Sequence, residues 1–119
     1  MRKIESEMCN AIKSVYITGK AWQKNNTKVL QLDNKLIEVR LFNNLIAIIA
    51  YDDFIILKDA NHRTVTTKSR LNALLQHFNI LFQIYQKDYQ WYVFRYKAAP
   101  DFPWTGELGL VLSKKINNG

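Results

Sequence analysis

Between residues 27 and 58 the chain carries four short apolar segments with only two or three residues between them. The segments cover residues 27–32, 36–42, 45–51 and 54–58. The breaks are Asp33-Asn34-Lys35, Asn43-Asn44 and Asp52-Asp53. A parallel neighbour needs a crossover of about a dozen residues or more, so breaks this short permit only antiparallel pairing. Asn and Asp also tolerate the positive φ of tight hairpins. The spacing therefore predicts a four-stranded antiparallel meander. In the second segment Ile37, Val39 and Leu41 alternate with Leu36, Glu38, Arg40 and Phe42, as on a half-solvated sheet. The third, Leu45-Ile46-Ala47-Ile48-Ile49-Ala50-Tyr51, is apolar on both faces and belongs at the centre. It is far too short to span a bilayer.

Helices flank this block. Ile4, Met8, Ala11, Ile12 and Val15 recur at helical spacing, and Gly19 can close that helix as a left-handed residue. Residues 20–26 read as a polar loop. Leu71, Leu74, Leu75 and Phe78 predict a second helix over 67–78, capped by Thr66 or Thr67. Strands follow at 81–85 and 89–96, joined by Gln86-Lys87-Asp88. A loop at 98–106 breaks the sheet, and a last strand runs over 108–112. Residues 113–119 read as a polar, frayed tail. The expectation is one α+β domain over 1–119, ordered over 1–112. Its order is helix, antiparallel meander, second helix, then two or three strands, with both helices on one sheet face.

Chemistry-bearing residues are sparse. Cys9, His62 and His77 lack paired ligand spacing, so neither a metal nor a cofactor is expected. Asp52 and Asp53 are adjacent and would point to opposite faces of a strand. Asp59 and His62 could form an acid/base pair beside the second helix; the plainer reading leaves them in a loop. The glycines are too scattered for a phosphate-cradling loop. The chain reads as a non-enzyme. A single cysteine excludes an intramolecular disulfide and fits a reducing cytoplasm. Residues 1–7 contain no apolar signal segment.

Charge says more. The formal net charge is +7, which suggests a polyanionic partner; nucleic acid is favoured over a membrane surface. No acid occurs from Met8 to Leu32 or from Ala60 to Lys87. Within the second window lies Thr64-Val65-Thr66-Thr67-Lys68-Ser69-Arg70-Leu71-Asn72-Ala73-Leu74-Leu75. A helix N-terminus already carries partial positive charge, and Lys68 and Arg70 compound it. Lys68, Ser69 and Arg70 are the expected phosphate contacts, with Arg63, Lys20 and Lys24 flanking them and Trp22 as a stacking residue. The expected ligand is nucleic acid, DNA first. Along residues 89–96, Tyr89, Trp91, Val93 and Arg95 share one strand face, and Gln90, Tyr92, Phe94 and Tyr96 the other. One face packs on the core; the other can present rings to bases. The alternative is a protein-interaction module acting on a host or defence factor, anchored by this strand and by residues 102–104. An open sheet edge would let two copies pair as a homodimer.

Several segments together resemble a family of small proteins of tailed bacteriophages. They are Arg2-Lys3-Ile4-Glu5, Trp22 with Asn26-Thr27, Asn44-Leu45-Ile46-Ala47, the run from Thr66 to Leu75, and Tyr85-Gln86-Lys87-Asp88-Tyr89-Gln90-Trp91-Tyr92. The resemblance covers most of residues 2–93, and the chain departs from the pattern after Phe94. It implies a phage origin and a bacterial host cytoplasm. Small phage proteins commonly bind nucleic acid or inhibit a host protein. The resemblance brings no catalytic residues with it.

Overall fold

The computed structural model describes residues 1–112; the expected tail at 113–119 lies outside the described residues. The first helix, α1 (Lys3–Thr18), buries Met8, Cys9, Ala11, Ile12 and Val15. Gly19 closes it at φ +73°, its N–H 2.8 Å from the Val15 carbonyl.

The meander is present and one strand longer than expected. A short β1 (Trp22–Lys24) occupies the stretch read as a polar loop. It pairs with β2 (Thr27–Gln31) across Asn25 and Asn26, both at positive φ. Three residues with one apolar side chain show no period, so β1 leaves no hydrophobic signal. Next come β3 (Ile37–Leu41), β4 (Asn44–Ala50) and β5 (Phe54–Lys58). The β3–β4 turn is Phe42-Asn43 rather than Asn43-Asn44, and Phe42 takes φ +52°. A bulge opposite Val39 and Arg40 leaves Ile46 without a cross-strand partner, yet Ile46 is buried.

The second helix, α2 (Val65–His77), begins two residues before the predicted start. Its N-cap is Thr64, not Thr66 or Thr67: the Thr64 hydroxyl accepts the Thr67 N–H at 3.1 Å. Then β6 (Phe82–Lys87), β7 (Gln90–Arg95) and β8 (Ala98–Pro103) form a three-stranded sheet. β8 lies where a loop was expected. Its two prolines signalled a break, but β8 is an edge strand, where a missing N–H costs no ladder bond. β9 (Glu107–Val111) returns to pair with β5, making a six-stranded antiparallel sheet in the order β1-β2-β3-β4-β5-β9.

Register puts Val29, Val39, Ala47 and Leu57 in one row and Ile37, Ile49 and Ile55 in the next. All are fully buried and form one core with the apolar stripes of α1 and α2. The opposite row, Leu30, Glu38, Ile48 and Ile56, is only half-buried.

Cys9 lies inside, its sulfur 3.7 Å from the Ala73 carbonyl. Burial, with the Glu5 charge nearby, pushes its thiol up to about 11. The thiolate is the reactive form. Native protein at mildly alkaline pH is therefore expected to leave Cys9 unmodified by a disulfide reagent. Denatured protein should release one equivalent of thiol chromophore, and equal labelling in both states would contradict this packing.

Candidate nucleic-acid interface

Glu5 and Cys9 of α1 touch Ser69, Arg70 and Ala73 of α2, so the two helices run parallel and their N-termini share one end. Basic residues at that end were expected to face a phosphate. The structure divides them. Arg70 is 5% exposed. Its Nη1 donates to Glu5 Oε2 at 2.8 Å and its Nε to Thr27 Oγ1 at 3.3 Å. The expectation of an Arg70 phosphate contact is corrected: the guanidinium is an interior tie between α1, α2 and β2. Ser69 is half-buried and spends its hydroxyl on the same Glu5 oxygen. Lys68 is half-exposed and makes no ion pair among the described residues.

Glu5 anchors this arrangement. Its Oε1 accepts the Arg2 N–H at 3.0 Å, half of a capping box, while Oε2 serves Ser69 and Arg70. Burial by itself would raise the carboxyl. Hydrogen bonds from Ser69, Arg2 and Arg70, with the Arg70 charge, outweigh burial and hold it below its ordinary value.

The flanking cations also differ from expectation. Arg63 pairs with Asp59 at 2.8 Å, and Lys24 pairs with Glu7 at 2.7 Å. Lys20 is exposed beyond the C-terminus of α1. That helix has 16 residues, a length of about 24 Å, so Lys20 is remote from Lys68. Trp22 is half-buried and packs against the core. The seven residues do not converge on one patch.

Asp59 and His62 do not assemble an acid/base pair. The Asp59 carboxylate accepts from Asn61 N–H, Arg63 Nε and Trp104 Nε1, all between 2.8 and 2.9 Å. Burial opposes its ionisation, but the Trp104, Asn61 and Arg63 bonds prevail and lower its pKa. Among the described residues His62 bonds Asp59 through the backbone, its N–H donating to the Asp59 carbonyl at 2.8 Å. Trp104 is 4% exposed and Phe102 is half-buried beneath the Arg95 guanidinium, so residues 102–104 are not free anchors for a partner.

Sequence reasoning missed Asn72. Its Nδ2 donates to the Ile84 carbonyl and its Oδ1 accepts the Ile84 N–H, each at 2.8 Å. That double bond satisfies the outer edge of β6 and fixes it alongside α2. The only hint was a polar residue placed between Leu71 and Ala73 in a buried helix face.

The aromatic strand resolves into two faces. Trp91 and Val93 point into the core, with the Trp91 and Trp104 rings 6.0 Å apart. Tyr92, Phe94 and Tyr96 point outward. Phe94 is 40% exposed and Tyr96 57%. The Tyr85 ring stacks on Tyr92 with centroids 5.7 Å apart, and the Tyr85 hydroxyl donates to Asp101. Lys97 holds its Nζ 5.6 Å from the Tyr96 ring. At the β6–β7 tip, Tyr89 is 94% exposed at φ +66°, a conformation bulky residues rarely adopt.

Among the described residues no helix is long and apolar enough to cross a membrane, and no three His, Cys, Asp or Glu residues gather as a metal site. No curated protein and no solved structure matches the chain. A family model described as Kyanoviridae Gp96 protein matches residues 1–108. That span takes in α1, the meander, the Glu5–Arg70 tie, the Asn72 clasp and the aromatic sheet. The chain thus belongs to the Kyanoviridae Gp96 protein family, a bacteriophage family.

Proposed function

We propose that this phage protein binds nucleic acid without catalysis, with DNA as its ligand, in the host cytoplasm. The observation that carries the reading is the outward pair of Tyr92 and Phe94 on β7, with the exposed Tyr96 in the turn that follows. Side chains two residues apart on a strand are about 6.6 Å apart and face the same way. Such rings offer successive platforms for bases, each worth about 1–3 kcal/mol. Trp91, on the other face of the strand, is buried in the core. Lys97 lies over Tyr96 and Lys87 ends β6, while Lys68 is on α2, which packs against β6. The net charge of +7 supplies long-range attraction to a polyanion.

The test is a titration of nuclease-treated protein with single- and double-stranded DNA across a salt series. Tyr92→Ala combined with Phe94→Ala is expected to weaken binding at least about tenfold with little change in salt slope. Lys68→Ala should weaken it modestly and reduce the slope by about one. Absence of wild-type binding at low salt would sink the reading and turn attention to a host-protein partner.

A further inference from the structure

Phe94 and Tyr96 do not end on flat surface. They form one wall of a groove of about 450 Å³ between β6 and the C-terminal half of α2. Sites for small organic groups run from about 300 to 1,000 Å³. Gln76 and Asn79 line it from the end of α2 and Gln83 from β6, and Leu81 in the same lining exposes 66% of its surface. Gln83 sits directly across from Phe94 in the β6–β7 register and shares its outward face.

The condition of these amides is informative. Asn72 also lines the groove, but both ends of its amide are spent on Ile84. The side chains of Gln76, Asn79 and Gln83 are exposed and make no hydrogen bond among the described residues. Each presents a donor pair beside an acceptor. That pattern complements the edge of a nucleobase, and an adjoining ring complements its face. Edge and face are open together only when a base has left its helix. Lys97 holds its ammonium 5.6 Å from the ring of Tyr96, which lines the groove. The surrounding charge therefore favours a base carried on a phosphate backbone over a neutral nucleoside.

We infer that this groove takes one unpaired base of single-stranded DNA, stacked on Phe94 or Tyr96 and read at its edge by Gln76, Asn79 and Gln83. The inference rests on the proposed function and adds two things to it: single strands and base preference. The row of rings supplies sequence-tolerant affinity, and the groove at its end supplies selection.

Binding of short dA, dC, dG and dT homopolymers, followed by fluorescence anisotropy, tests it. The wild type is expected to separate its best and worst homopolymers by about tenfold. Asn79→Gly, which keeps the positive φ of that residue, combined with Gln83→Ala should shrink that spread to about twofold. Both residues are exposed, and a thermal melt confirms that the variant is folded. Equal wild-type affinity for all four, or a spread unchanged in the variant, overturns the groove and leaves the function standing. Preference for duplex over every single strand also overturns it. No binding to any DNA overturns the function and the groove together.

Discussion

Arg70→Ala is expected to lower the unfolding free energy by about 3–5 kcal/mol, the range seen when one partner of a buried ion pair is removed. Arg70 and Glu5 are 5% and 2% exposed. Deleting the guanidinium leaves the Glu5 carboxylate inside with only Ser69 and the Arg2 N–H to satisfy it. It also strips Thr27 of a donor and opens a void between α1, α2 and β2. The stranded carboxyl should then take up a proton more readily, because the Arg70 hydrogen bond and charge no longer help Ser69 and Arg2 oppose burial, which raises it. Glu5→Leu combined with Arg70→Met should recover part of the loss, since well-packed apolar replacements of buried pairs are often neutral. Urea denaturation of the three proteins reads this directly. A loss under about 1 kcal/mol for Arg70→Ala would mean that the pair is not buried in solution.

The same pair sets the acid limb of stability. Glu5 and Asp59 both have folded pKa values below their ordinary ones. Their contribution is therefore complete above the ordinary carboxylate range. It disappears as pH falls through the lowered folded values. In Arg70→Ala the Glu5 share is reduced at neutral pH, so the gap in stability between the wild type and the variant should narrow on acidification. If the Arg70 side chain is structural, folded Arg70→Ala binds DNA within about twofold of wild type at equal salt. A large loss of affinity in folded protein would return Arg70 to the binding surface.

Asn72→Ala is expected to cost about 2–4 kcal/mol, because it deprives two backbone groups of Ile84 of partners at once. Ile84 is 1% exposed, so water does not readily replace the lost amide. Asn72→Asp keeps an acceptor for the Ile84 N–H but sets a carboxylate against the Ile84 carbonyl, and it should be destabilising too. Hydrogen exchange gives a local signature. The Ile84 amide should lose protection in Asn72→Ala more than amides of β3 and β4 do. Uniform loss across both sheets would show that Asn72 acts only through global stability.

These two residues change the meaning of the Thr66–Leu75 run. Leu71, Leu74 and Leu75 fill the core, Ser69 and Arg70 lock α2 to α1, and Asn72 clasps β6. A sequence so specific reads as a functional motif, yet most of its polar groups are spent inside the fold. Lys68 makes no ion pair among the described residues, and the outward rings of Tyr92, Phe94 and Tyr96 now carry the functional proposal.

What the sequence determined by itself is local. A sheet repeats every two residues and a helix every 3.6. Ile37, Val39 and Leu41 therefore marked a strand, and the Ile4–Val15 stripe marked a helix without knowledge of neighbours. The Tyr89–Tyr96 alternation likewise separated the two faces of β7 correctly. Tertiary structure decided which face turned inward, because Trp91 and Val93 join the common core and Trp104 packs beside Trp91. It also decided which charges are free. Glu5 and Arg70 stand 65 residues apart in the chain and 2.8 Å apart in space. Periodicity reports where a side chain points along its own element. Whether a cation meets water or a carboxylate depends on a partner that only folding brings within reach.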